Sequence, residues 1–269
     1  MRRFIPLTIR RFLGGAYHRW QSAHVKRKLL RSLKGNSVEC NVCGWEGRAF
    51  ADDHWHPGTV CPKCGSQVRH RLLTAALDGL GGNSALAESA LLVGKDILHF
   101  APERQLRQRI KKASKKYVTA DYDRGDCDLK LDMSSMPSIE ADSFDVVIAC
   151  DVLEHVPDDI AAMRELHRIL HPRGIAILSV PQMDPPATTD ADPSVTDPLQ
   201  RESRFGQKDH VRMYGDDFIN RLQATGFSVT TVTENDFIAD EVSRLGLKPP
   251  IPSSQRLATN FRRIYFARK

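Results

Sequence analysis

No apolar run in this 269-residue chain approaches the roughly 18–20 residues that a membrane-spanning helix needs. The first 34 residues contain no Asp or Glu, yet they carry ten Lys or Arg. A secretory signal is not expected there. Arginines stand on both sides of the short apolar patch in MRRFIPLTIRRFLGG, and no small-residue cleavage site follows. Cysteine is scarce, six in all, and four of the six form two CxxC pairs. Such usage argues against a disulfide framework and for metal in a reducing compartment, hence a cytoplasmic protein. The rest is ordinary for a globular protein: 41% apolar and 27% charged residues, in a chain long enough to bury a core.

The net charge of +6 belongs to the N-terminal arm. Beyond residue 34, 29 basic side chains face 33 acidic ones, a net of −4. The arm, 1–36, mixes its Arg and Lys with Phe4, Ile5, Phe12, Tyr17 and Trp20, and its pattern fits a helix from Ala16 to Leu33. Three readings suit that composition. One is a peripheral contact of residues 1–34 with the anionic inner face of a membrane. A nucleic-acid arm is less favoured. The bland reading is a solvated terminus, or a helix docked on the acidic body.

Residues 37–68 contain Cys40, Cys43, Cys61 and Cys64: a CxxC, a 17-residue spacer and a second CxxC. Thiolates two residues apart grip one tetrahedral ion from a tight turn, and two such turns close a four-sulfur site. Gly44 and Gly65 directly follow the two pairs. The arrangement resembles a zinc ribbon, with Zn2+ as the expected ion because four soft ligands stand together without a redox partner. His54 and His56 in the spacer leave a mixed Cys/His site as the lesser alternative. A closed four-ligand site has a structural role.

Residues 69–94 read as a helical linker, with Leu72, Leu73, Ala76, Leu77 and Leu80 at helical spacing. From residue 95 onward strand-like and helix-like segments alternate. Strands are expected at Asp96–Phe100, Tyr117–Ala120, Asp128–Asp132, Phe144–Cys150, Ile175–Val180, Phe227–Thr233 and Phe261–Arg268. Helices are expected at Arg104–Ala113, Ile160–Leu170 and Asp216–Ala224. The alternation predicts an α/β fold, a doubly wound and mostly parallel sheet over 95–269, with an antiparallel strand among the last two. The residues of 181–215 lack a regular pattern, which suits an acceptor-binding lid or a salt-bridged turn.

The run DSFDVVIACDVLEHVPDD, followed by ELHRILHPRGIAILSVP, resembles class I S-adenosylmethionine-dependent methyltransferases, in their small-molecule-type branch. The resemblance spans roughly Ile97–Phe237. It implies a Rossmann-like fold and S-adenosylmethionine as cofactor. It places Asp121 at the cofactor's ribose hydroxyls, Asp132 and Met133 at the adenine, and Cys150 beneath the methionine part. Asp151, Glu154 and His155 then stand near the methyl group. The glycine-rich loop usual after the first strand is replaced by Leu98-His99-Phe100-Ala101-Pro102-Glu103. HFAPE together with FGQKDHVRMYG resembles a bacterial methyltransferase subfamily. That resemblance implies cofactor contacts at Phe100 and Ala101, with Glu103 at the cofactor ammonium. Candidate catalytic residues are His155, His210 and Asp151, and candidate acceptor-binding residues are Asp209, Arg212 and Tyr214.

The expected reaction is methyl transfer to an O or N acceptor on a small molecule or glycan-type substrate. The subfamily resemblance points to bacterial cell-surface glycan assembly. The rival is a zinc-ribbon nucleic-acid-binding or scaffold protein whose methyltransferase-like domain no longer binds cofactor.

Overall fold

A computed structural model describes residues 24–269 apart from 54, 83 and 185–187. Expectations for residues 1–23 of the basic arm, and for His54, lie outside the described residues. Residues 24–32 form helix α1. The cysteine module follows as the antiparallel pair β1 (Val38–Cys40) and β2 (Trp45–Gly47). Helices α2 (Val68–Leu77) and α3 (Glu88–Leu91) lead to β3 (Asp96–Phe100), α4 (Arg104–Ala113), β4 (Lys116–Asp121) and β5 (Leu129–Lys130). Then come β6 (Phe144–Cys150), α5 (Asp159–Ile169), β7 (Leu170–Ser179), β8 (Asp190–Ala191), α6 (Pro198–Phe205) and β9 (Arg212–Met213). The chain ends with α7 (Phe218–Gln223), β10 (Ser228–Val232), α8 (Ala239–Leu245) and β11 (Ile264–Arg268).

One seven-stranded sheet runs β10-β11-β7-β6-β3-β4-β5. Strands β3 to β7 pair in parallel, and β11 is antiparallel to both its neighbours. This is the doubly wound, mostly parallel, Rossmann-like sheet. Strand β6 is apolar on both faces because it supports two cores. Val147 and Ala149 pack with α5 and α7 residues, while Val146, Ile148 and Cys150 pack with α2 and α8 residues. Full burial stabilises by about 1.5–3 kcal/mol per large aliphatic side chain, so both faces contribute.

Three expectations change. The stretch expected to link two domains is a core element: Leu72, Leu73, Ala76 and Leu77 of α2 are buried against Ile97, Ile148 and Phe266. Strand β7 begins at Leu170, not Ile175, because Leu170 pairs with Phe144 before a register shift brings Ile175 opposite Val146. The irregular stretch 181–215 contains α6 and a small sheet, β8 with β9, and Phe205, Arg212, Met213 and Tyr214 are buried. Among the described residues no helix is long and apolar enough to cross a membrane.

Candidate active site

Strands β3 and β6 are neighbours at the centre of the sheet, and from them the chain winds outward in opposite directions. The crevice beyond the carboxyl ends of such a pair is where open α/β sheets bind ligands. Both strands end in unusual backbone. Ala101 after β3 has φ 43° and Asp151 after β6 has φ 52°. A left-handed non-glycine residue costs roughly 1–2 kcal/mol, a strain that persists where surrounding structure fixes it. Ala101 thus takes a left-handed turn without glycine, and its N–H donates to the Ala120 carbonyl at 2.8 Å.

A cavity of about 530 Å³ opens at this point. Phe100, Ala101, Asp121, Asp132 and Met133, all expected cofactor contacts, line it. The two aspartates are prepared in the same way. Asp121 Oδ1 accepts the N–H groups of Asp123 and Arg124, each at 3.0 Å. Asp132 Oδ1 accepts the Ser134 N–H at 2.8 Å and its hydroxyl at 2.6 Å. In each, one oxygen builds the turn and the other has no hydrogen bond among the described residues. A carboxylate so placed can accept two vicinal hydroxyls or an amino group. Tyr122, Leu131, Val152 and Pro157 also line the cleft and were not singled out in the sequence. Tyr122 directly follows Asp121, and that adjacency was the available signal.

Two expected cofactor contacts lie elsewhere. Cys150 is buried on the opposite face of β6, where burial raises its thiol pKa far above the ordinary value. Glu103 turns toward α2: its Oε1 lies 2.8 Å from His70 Nε2 and accepts from Arg69 Nε at 3.1 Å. Burial opposes its charge, yet the His70 hydrogen bond and the charges of His70 and Arg69 keep its pKa below the usual value. It is therefore committed to the protein's own cations.

A second cavity, about 380 Å³, lies on the other side of the β6 exit. Asp151 and His155 border both cavities. Asp151 is fixed by the Ser179 hydroxyl at 2.9 Å, Arg69 at 3.2 Å and Arg262 at 3.3 Å. Burial works against its charge, but Arg69 and Arg262 hold it down to about 2. Neither arginine was singled out in the sequence. Arg262 lies 111 residues from Asp151, so only the fold brings them together.

The second cavity draws its walls from segments far apart in the chain. Asp53, Trp55 and His56 come from the spacer between the CxxC pairs, Gln207 and His210 from the excursion after α6, and Thr259 from the segment before β11. His210 is buried, and its Nδ1 lies 2.9 Å from the Phe205 carbonyl. The expected acceptor contacts divide. Asp209 stands 3.3 Å from His155 Nδ1 and lines the first cavity. Arg212 and Tyr214 are buried and line neither. Arg212 donates to the carbonyls of Leu153, Val156 and Pro157, and the Tyr214 hydroxyl donates to Asp159 at 2.9 Å. They fix the turn that carries His155.

The family model for the methyltransferase domain matches residues 79–178, from just after α2 into β7. The chain carries a methyltransferase domain. Solved structures of similar fold include an S-adenosylmethionine-dependent methyltransferase from Mesorhizobium loti, 18% identical over 72% of this chain and 100% of its own, with a TM-score of 0.46. Another is the 1,6-didemethyltoxoflavin-N1-methyltransferase of Burkholderia thailandensis, with 1,6-didemethyltoxoflavin and S-adenosylhomocysteine bound. It is 13% identical over 74% of this chain and 78% of its own, with a TM-score of 0.47. Likenesses this distant add nothing about the site. No curated protein matches the chain by sequence.

The methyltransferase domain is joined to a cysteine cluster. Cys40, Cys43, Cys61 and Cys64 bring their sulfurs within 4.8 Å of one another. Cys40 and Cys64 are 3.7 Å apart and Cys43 and Cys61 3.8 Å. A tetrahedral ion with bonds of about 2.3 Å separates its sulfurs by about 3.8 Å, so the cluster fits one. Burial, then Cys40, push the Cys43 thiol up to about 12, so a metal ion binding here must displace protons. His56, the alternative ligand, instead faces Asn260 at 3.0 Å.

Proposed function

We propose that this methyltransferase transfers a methyl group from S-adenosylmethionine to an oxygen or nitrogen of a small polar molecule or a terminal glycan unit. The observation that carries the reading is the pair of cavities at the sheet's switch point, with Asp151 and His155 on their common wall. The first cavity suits the cofactor. It sets apolar Phe100 and Met133 beside two aspartates, each with one oxygen outside the turn it builds. S-adenosylmethionine supplies an already activated methyl group, so the chain's main task is alignment. The second cavity, lined by Asp53, Gln207, His210 and Thr259, offers donors and acceptors suited to a hydroxyl-rich acceptor. The catalytic candidates Asp151, His155 and His210 all border it. Zn2+ is the ion proposed for the four cysteines, and a membrane contact is proposed for the arm at 1–34. A cytoplasmic location at the inner face of a membrane follows from these two proposals.

Calorimetry with S-adenosylhomocysteine tests the cofactor half. Asp121→Asn keeps a turn-building oxygen and removes the charge, and it should weaken binding roughly tenfold or more, the loss of one charge-assisted hydrogen bond. Asp121→Ala should weaken it further. Unchanged affinity in both variants would remove Asp121 from the cofactor site. Labelled methyl transfer to cell-envelope glycan precursors and to RNA tests the acceptor half. Transfer to RNA alone would overturn it.

A further inference from the structure

Glu154 and His155 stand in the turn Leu153–His155 that leaves β6, and His210 comes from the excursion after α6. One ligand-type atom from each lies within 4.8 Å of the others. The two imidazoles are oriented alike. His155 Nδ1 faces the Asp209 carboxylate at 3.3 Å, and His210 Nδ1 faces the Phe205 carbonyl at 2.9 Å. The Phe205 carbonyl only accepts, so the His210 Nδ1 carries the proton. The His210 Nε2 lone pair is left inside the protein without a partner, and His155 Nε2 lies 4.0 Å from Glu154 Oε1. Metal-ligating histidines usually donate their other nitrogen to a carboxylate or a carbonyl in this way.

Glu154 is 1% exposed and His210 2%, and Glu154 Oε2 and His210 Nε2 have no hydrogen-bond partner among the described residues. Two buried polar atoms without partners, one on Glu154 and one on His210, border the same cavity, and they are costly unless something lies there to satisfy both. No hydrogen bond joins the two, so a single proton does not serve both.

We infer that Glu154, His155 and His210 bind a divalent transition-metal ion, at a second site apart from the four cysteines. Two imidazoles and one carboxylate suit Zn2+, Fe2+, Co2+ or Mn2+ better than Mg2+ or Ca2+. Around an ion with bonds of about 2.1 Å the ligand atoms stand about 3.0–3.4 Å apart, within reach by side-chain rotation. All three residues border the 380 Å³ cavity, so the remaining coordination positions open into it, toward an oxygen of whatever molecule fills it. The site stands on its ligands and does not depend on the methyl-transfer reading.

The test uses full-length protein isolated with the cysteine site filled, its metal content measured by mass spectrometry. Co2+ is then titrated, followed by calorimetry and by visible absorption. The expected result is one further equivalent per chain, with d–d bands and no added sulfur-to-metal charge transfer. That equivalent should be lost in Glu154→Gln and His210→Ala. It should weaken at least about tenfold in Asp209→Ala, which removes only the partner of His155. Circular dichroism confirms that all the variants are folded, and S-adenosylhomocysteine binding does so for Glu154→Gln and His210→Ala. Wild-type protein that takes up no second equivalent, or folded variants that keep it, would overturn the inference. Wild-type protein that binds S-adenosylhomocysteine but no second Co2+ overturns the metal site alone. Uptake of Co2+ without S-adenosylhomocysteine binding overturns the methyl-transfer reading alone.

Discussion

Arg71 supports the sharpest energetic prediction. It is wholly buried in α2 and binds the cysteine module to the C-terminal part of the chain. Its Nε donates to the Leu245 carbonyl at 2.8 Å, Nη1 to Ser66 at 3.0 Å, and Nη2 to Thr59 and Gly246, each at 2.9 Å. Its guanidinium carbon lies 3.9 Å from the centre of the Phe50 ring. Burial pulls its pKa down to about 10, opposed by Cys40, Cys61 and Cys64, so it stays charged at neutral pH. Arg71→Met keeps the stem and removes the guanidinium. Ser66 retains the N–H of Cys61, but the carbonyls of Thr59, Leu245 and Gly246 lose their partner. Three orphaned carbonyls at roughly 1–2 kcal/mol each exceed the relief of no longer burying a cation, so the net cost is about 3 kcal/mol. In a chain of this size that lowers Tm by about 6–12 °C. Urea unfolding at fixed zinc concentration measures it, since a bound metal adds its own stabilisation. Arg71→Lys, with one donor head in place of a fork, should fall between. A loss below about 1 kcal/mol for Arg71→Met would mean that the carbonyls find water, and that this seam is open.

Two further outcomes are expected. His99 is buried in β3, and burial pushes its pKa from an ordinary 6.5 down to about 4. The unfolded chain therefore takes up the proton first, and stability falls as pH drops from about 6.5 to about 4, by up to about 3 kcal/mol. Between pH 7 and 4.5, wild type should lose about 2–3 kcal/mol more than His99→Asn in urea unfolding; equal losses would refute the shift. Stripping metal from the four cysteines, or Cys61→Ser, should abolish amide-exchange protection over 38–64 while β3 and β6 stay protected. Full protection of 38–64 after stripping would show that the module folds without its ion.

The central strands were legible because burial on both faces leaves a plain mark. Asp96–Phe100 and Phe144–Cys150 match the structure residue for residue. The four cysteines were legible for a different reason, since their ligand spacing is local. Asp121, Asp132 and Met133 could be placed through the resemblance because they sit at strand ends or in the turns just after them. Arg212 and Tyr214 misled because a conspicuous polar cluster reads alike whether it meets a ligand or the backbone. The direction of Arg212 is set by the carbonyls of Leu153, Val156 and Pro157, which lie more than 50 residues earlier.

The sequence Arg69-His70-Arg71 shows most clearly what local pattern omits. On α2 these residues interrupt an otherwise apolar stretch, and a solvated face is the natural reading. Yet His70 and Arg71 are buried, and all three have defined targets. Arg69 reaches Asp151 and Glu103, His70 reaches Glu103, and Arg71 reaches the cysteine module and the residues ending α8. Burying cations requires acceptors, and those acceptors lie at the ends of β3 and β6, in the cysteine module and after α8. One helix thus couples the four-sulfur module to the carboxyl edge of the sheet. The spacer between the CxxC pairs supplies part of the second cavity through Asp53, Trp55 and His56. An ion that folds this module would therefore also shape a wall of the cavity proposed for the acceptor. A four-sulfur site closed to chemistry can then bear on what the methyltransferase accepts, through α2 and Arg71 rather than through an open coordination position.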